Sequence, residues 1–184
     1  TVTEDATVPT AGITNNTATT ILTCTTTSIS VTATGGDSYA WDNGLGNTAT
    51  ASITAAGTYI VTVTNANGCT DTASITVTAD VTVPTAGITN DTATTVLTCT
   101  TTAISVTATG GDSYAWDNNL GNTATASITA AGTYIVTVTN ANGCTDTESI
   151  TVTADVTVPT AGITNNTATT VLTCTTTAIS VTAT

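Results

Sequence analysis

One block recurs along the chain almost unchanged, and its period limits the fold more than any other feature. The segment VPTAGITN stands at Pro9, Pro84 and Pro159. Residues 6–80 and 81–155 differ at only six positions: Ala6/Val81, Asn16/Asp91, Ile21/Val96, Ser28/Ala103, Gly44/Asn119 and Ala73/Glu148. Residues 1–5 match the end of a unit and residues 156–184 match its first positions. The step from Pro9 to Pro84 is too long for one coil of a solenoid and falls within the size of a small autonomous domain. The expected organisation is the end of one unit (1–5), two whole units (6–80 and 81–155) and the first strands of another (156–184). Because the chain carries no Met, it reads as an internal segment or a processed product.

Within one unit the pattern predicts about seven strands, near 8–14, 19–24, 28–34, 38–43, 49–55, 58–64 and 72–79. Turn signals separate them: Gly35-Gly36-Asp37, Asn43-Gly44, Ala56-Gly57 and Asn67-Gly68. Tyr59, Val61 and Val63 alternate with Thr62 and Thr64, as they do in a strand with one buried face. Tyr39 and Trp41 share a face, which places one indole per unit in the core. The core candidates are Trp41 and Tyr59, with Trp116 and Tyr134 in the next unit. Seven short alternating strands of β-branched residues predict an all-β chain of tandem immunoglobulin-like sandwiches.

The charge excludes several function classes. The chain has twelve carboxylates, no Lys, Arg or His, and a formal charge of −12. Nucleic-acid binding through phosphates needs Lys or Arg, and attraction to anionic lipid needs the same cations. No apolar run reaches the roughly 20 residues of a membrane helix. Without His or Lys no nucleophile–base pair of the serine or cysteine hydrolase kind can be assembled, and the chain is expected not to be an enzyme.

Five cysteines remain to be placed. Pairing within units gives Cys24–Cys69 and Cys99–Cys144, and leaves Cys174 with a partner outside the segment. Loop-closure entropy assigns such a bridge, closing about 46 residues, roughly 4 kcal/mol. The alternative Cys69–Cys99 would join neighbouring units. Zinc would require four clustered ligands, whereas each unit offers two cysteines and no His. Paired cysteines point to an oxidising compartment, hence to an extracellular protein outside the cytoplasm.

The stretch YAWDNGLGNTATASITAAGTYIVTVTNANGCTDTASITVTAD combines Tyr-x-Trp (Tyr39, Trp41), Ala56-Gly57-Thr58-Tyr59, Asn-x-Asn-Gly-Cys (ending at Cys69) and a Thr-rich last strand. In this combination it resembles the Ig-like repeats of very large surface proteins of gliding, Bacteroidota-type bacteria. The resemblance covers every unit. It implies a cell-surface location, export by a type IX system and a role as adhesin or filament, the family including grappling-hook-like filaments. It also implies a tyrosine corner at Tyr59 and Tyr134. In antibody domains the second Cys follows that Tyr by two residues, whereas Cys69 lies much further beyond Tyr59. The bridge is therefore expected to tie the second strand to the last hairpin at one pole.

Calcium is the one cofactor the residues suggest. Asp37, Asp42 and Asn43 surround one hairpin, and Asp112, Asp117 and Asn118 repeat them. Their oxygens suit a hard cation, and the same residue types are ordinary turn formers. Asp71-Thr72-Ala73 and Asp91-Thr92-Ala93 resemble the Bacteroidota O-glycan acceptor motif, with Thr72 and Thr92 as acceptors. Asn15, Asn90 and Asn165 open Asn-x-Thr sequons. The Thr-x-Thr arrays raise ice binding as a further alternative.

The expected function is a structural shaft: rigid Ig-like domains in series that project a working tip or build a filament. The junction SITVTADVTVPTAGI lacks the Gly/Ser run of a flexible linker. The expected partners are neighbouring repeats and further copies in a homo-oligomeric filament. The rival reading is a repetitive binding module with a weak polysaccharide or cell-surface site per repeat.

Overall fold

The structure is a computed structural model and describes residues 2–184. Its first unit holds β1 (Gly12–Asn15), β2 (Ile21–Leu22), β3 (Ile29–Thr34), β4 (Ser38–Trp41), β5 (Thr50–Ile53), β6 (Gly57–Thr64) and β7 (Thr70–Ala79). The second repeats them as β8 (Gly87–Asn90), β9 (Val96–Leu97), β10 (Ile104–Thr109), β11 (Ser113–Trp116), β12 (Thr125–Ile128), β13 (Gly132–Thr139) and β14 (Thr145–Ala154). Beyond them β15 (Ile163–Asn165) pairs antiparallel with β16 (Val181–Ala183). No helix among the described residues is long and apolar enough to cross a membrane.

Each unit is a two-sheet sandwich. One sheet has the order β1-β3-β5 and the other β2-β7-β6-β4; the second unit repeats both orders. Alternation along the strands builds the core. Ile29, Val31 and Ala33 of β3 face Tyr59, Val61 and Val63 of β6, while the intervening Ser and Thr face outward or sit half-buried. Each such aliphatic side chain contributes about 1.5–3 kcal/mol on full burial. Trp41, 6% exposed, lies in this cluster, and its indole N–H donates to the Thr48 carbonyl at 3.0 Å. Trp116 does the same with Thr123. The Tyr59 hydroxyl donates to the Ala55 carbonyl at 2.9 Å, and Tyr134 to Ala130. The two cores share no residue, so each unit has its own.

The second strand is shorter than its pattern, and its direction matters. β2 keeps only Ile21 and Leu22, and it pairs parallel with the far end of β7, Ile21 opposite Thr78 and Leu22 opposite Ala79. The chain thus leaves the first sheet after β1, crosses to the second, and returns to the first as β3. Cys24 accordingly lies beside the exit of the unit.

The turn after β3 cannot hold a side chain. Gly35 has φ +105°, and a Cβ placed there would lie 1.9 Å from the Thr10 carbonyl oxygen; Gly110 repeats this against Thr85. Gly35→Ala is expected to lower the urea stability of the first unit by more than the about 1–3 kcal/mol of backbone strain alone. Gly44 (φ +75°) has open space around it, and Asn119 (φ +61°) replaces it in the second unit. Gly44→Asn should therefore be nearly neutral, since Asn tolerates this region.

Candidate functional site at the junction between units

The bridge that forms is Cys24–Cys144, with Cα atoms 5.0 Å apart and a sequence separation of 120. This corrects the pairing within units: neither Cys24–Cys69 nor Cys99–Cys144 exists, and Cys69, Cys99 and Cys174 are free. The reason is strand direction. Cys24 follows β2, which lies beside the end of β7, whereas Cys69 immediately precedes β7 at Thr70. The length of β7, at about 3.3 Å per residue, separates the two poles by about 30 Å, and a disulfide requires Cα atoms within about 7 Å. The second unit repeats the arrangement with β9 and β14. Cys69–Cys99 fails because Cys69 lies at the entry pole of one unit and Cys99 at the exit pole of the next.

The β13–β14 hairpin of the second unit docks on the exit pole of the first. Asn142 Nδ2 donates to the Asp80 carboxylate and to the Thr82 carbonyl, both at 3.0 Å, and Asn140 Nδ2 reaches the same carbonyl at 3.3 Å. At the preceding junction Asn67 donates to the Asp5 and Thr7 carbonyls, and Asn65 to Thr7. Asp80, Thr82, Asp112, Asn140, Ala141 and Asn142 line an open depression there. Cys144 is 1% exposed under the first unit, whereas Cys69 is half-buried.

Gly143 shows how close the contact is. A Cβ on it would lie 2.4 Å from Thr25 Cγ2 across the junction, while Gly68 has nothing within 4 Å. Both have positive φ, +78° and +82°, so alanine strains both backbones alike. Gly143→Ala should lower the fraction of chains that form Cys24–Cys144 during oxidative refolding, and Gly68→Ala should leave it unchanged. Gel mobility after thiol alkylation reads both.

The carboxylates singled out in the sequence act on backbone. Asp37 accepts from the Ala66 N–H and Asp112 from Ala141, both at 2.7 Å. Asp42 accepts from Ile60 and Asp117 from Ile135. Asn43 and Asn118 donate to the Thr58 and Thr133 carbonyls at positive φ. Asp37 and Asp42 flank opposite ends of β4, so the structure does not bring them together, and no cluster of three or more metal-ligating His, Cys, Asp or Glu occurs among the described residues. Thr72 is exposed on β7, while Thr92 Oγ1 accepts from the Ser105 N–H. The sequon amides of Asn15, Asn90 and Asn165 donate to the carbonyls of Thr19, Thr94 and Thr169.

Asp71 and Asp146 were not singled out as ligands, yet they tie the last strand of each unit to the start of its first. Asp71 Oδ2 accepts from the Ala11 N–H and Asp146 Oδ2 from Ala86, both at 2.9 Å. These hydrogen bonds hold both carboxyls below the ordinary value, and Asn142 does the same for Asp80. A depressed folded pKa stabilises above the unfolded value near 3.9 and loses that contribution as pH falls through the folded value. With the repulsion among the carboxylates screened by about 0.5 M salt, the urea midpoint should fall between pH 6 and pH 3. In an Asp71→Asn, Asp146→Asn double variant that fall should be smaller.

No protein-family model and no curated protein sequence matches the chain. Among solved structures, one described as giving insight into host cell surface retention of a 1.5-MDa bacterial ice-binding adhesin matches with TM-score 0.53 and 19% identity. The match covers 84% of this chain and 67% of that one. The fibronectin(III)-like modules of Clostridium thermocellum CbhA match at 16% identity over 78% of this chain and 95% of theirs; their TM-score of 0.35 carries no argument. The chain is thus an all-β array of immunoglobulin-like sandwiches whose fold is similar to that of a domain of a bacterial adhesin.

Proposed function

We propose that this array is the shaft of an extracellular filament or adhesin and that its work is mechanical. The observation that carries this reading is the covalent join between successive units, Cys24–Cys144, reinforced by the Asn140 and Asn142 contacts to the linker. The side chains suited to chemistry are engaged in structure: the tryptophans fill cores and the repeated Asp residues hold backbone amides. Such a bridge persists in an oxidising compartment, which supports a surface location. The resemblance of the repeats to type IX-exported Bacteroidota surface proteins supports a role for this shaft among their adhesins and filaments. The rival binding-module reading draws less support, because an aromatic ligand platform would have to be exposed and the Tyr and Trp side chains are buried or half-buried.

Cryo-electron microscopy of the protein on its native surface tests the proposal. The shaft reading expects straight rods with an axial beat of one repeat unit. Strings of units bending freely at every junction would overturn it.

A further inference from the structure

The bridged pair has unbonded relatives in matching settings. Cys99 and Cys174 occupy the position of Cys24 in the following units. The loop around each has the same turn: the Thr23 N–H donates to the Thr26 carbonyl, Thr98 to Thr101 and Thr173 to Thr176, all at 2.9 Å. Cys69 occupies the position of Cys144 in a hairpin closed by the same bonds, Asn65 N–H to Cys69 carbonyl and Asn140 N–H to Cys144 carbonyl, both at 3.0 Å. The linker that enters each unit is held by the same hairpin asparagine, Asn67 to Thr7 and Asn142 to Thr82. What distinguishes Cys69 is the open space at Gly68, where Gly143 meets Thr25 of the unit before it.

We infer that in a run of these repeats every first cysteine bonds to the second cysteine of the following unit, so that overlapping staples run along the array. Each closure joins two Sγ atoms as their protons and two electrons leave. A small-molecule disulfide such as oxidised glutathione accepts them, its own S–S bond breaking to two thiols. Cys24–Cys144 encloses Cys99, and the bridge from Cys99 would begin inside that loop and end beyond it. A short segment leads from Cys144 to Cys174, where another staple starts. Tension applied along the array then travels through that segment and its equivalents, and crosses the rest through sulfur. The strands outside that segment are sheltered from load, and the loaded stretch is limited to β14, the linker and the start of the next unit, β15 included. This goes beyond the shaft reading, since the pairing rule holds or fails whatever the array carries.

The test completes the third unit by adding the sequence of residues 110–155 after Thr184. The chain is refolded with reduced and oxidised glutathione, alkylated, and cleaved before Asp without reduction. Cys24, Cys69 and Cys99 then fall in different peptides, 5–36, 42–70 and 91–111. In the 184-residue chain the 91–111 peptide should be alkylated, and in the completed chain it should be disulfide-linked while 42–70 stays alkylated. A completed chain in which 91–111 remains alkylated, or in which 42–70 is linked to 5–36, overturns the inference; so does a disulfide-linked dimer through Cys99. A Cys24→Ser form of the completed chain gives an independent reading. It should keep the Cys99 bridge and show three free thiols, and a single free thiol would contradict the rule.

Discussion

Replacing Trp41 with alanine should remove about 3–5 kcal/mol from the first sandwich and leave the second standing. The indole is 6% exposed, lies among Val31, Val61 and Leu22 in the core, and loses its bond to Thr48 as well. A domain of about 75 residues has a total margin of about 4–11 kcal/mol, so the loss takes a large share of it. The two cores share no residue, and effects at distant independent sites do not propagate beyond about 0.5 kcal/mol. The chain contains only two tryptophans, which makes the experiment clean: in Trp41→Ala the remaining fluorescence reports Trp116 alone. Urea unfolding followed by that fluorescence should keep its parent midpoint, while far-UV circular dichroism should show a second transition at lower urea. A fluorescence midpoint that falls with the dichroism would mean that the units fold as one body.

Pulling the oxidised chain by its two ends should yield about 400 Å less extension than pulling the reduced chain. Cys24–Cys144 has a sequence separation of 120, which at roughly 3.3–3.6 Å per residue is the length removed from the force path. Bridges within units would hide two lengths of about 150 Å instead. Single variants separate the cases further. Cys24→Ser should restore the whole of the hidden length, and Cys99→Ser should restore nothing. Partial recovery from either variant would favour bridges within units. Reduction should leave both sandwiches folded at rest, because neither contains a bridge of its own.

Much of this architecture was legible from the residues. The strand expected at 28–34 is β3 (Ile29–Thr34) and that at 58–64 is β6 (Gly57–Thr64), since alternation of Val and Ile with Thr reports directly which face is buried. The glycine hinge at Gly35 was visible too, although only the structure shows the Thr10 carbonyl that enforces it. The bridge was not legible. Cysteine spacing counts residues along the chain and contains no information about which pole a strand ends on. The expectation at one pole assumed that the second strand ends beside the last hairpin, whereas β2 runs parallel to β7 and carries Cys24 to the opposite end. Ile21 and Leu22 form too short a run for any pattern to reveal that direction. The sequence shows Asp71 only as part of the Asp71-Thr72-Ala73 motif, and its role in holding the first strand is visible only once Ala11 is seen to lie against it.

The most direct test of the inter-unit staple is a count of free thiols in the oxidised, monomeric chain after denaturation without reduction. Pairing across the junction leaves Cys69, Cys99 and Cys174 titratable, so the account predicts three per chain, with peptide 5–36 joined to peptide 117–145. One free thiol per chain, with peptide 5–36 joined to 42–70, would show that each unit closes on itself and would contradict the account.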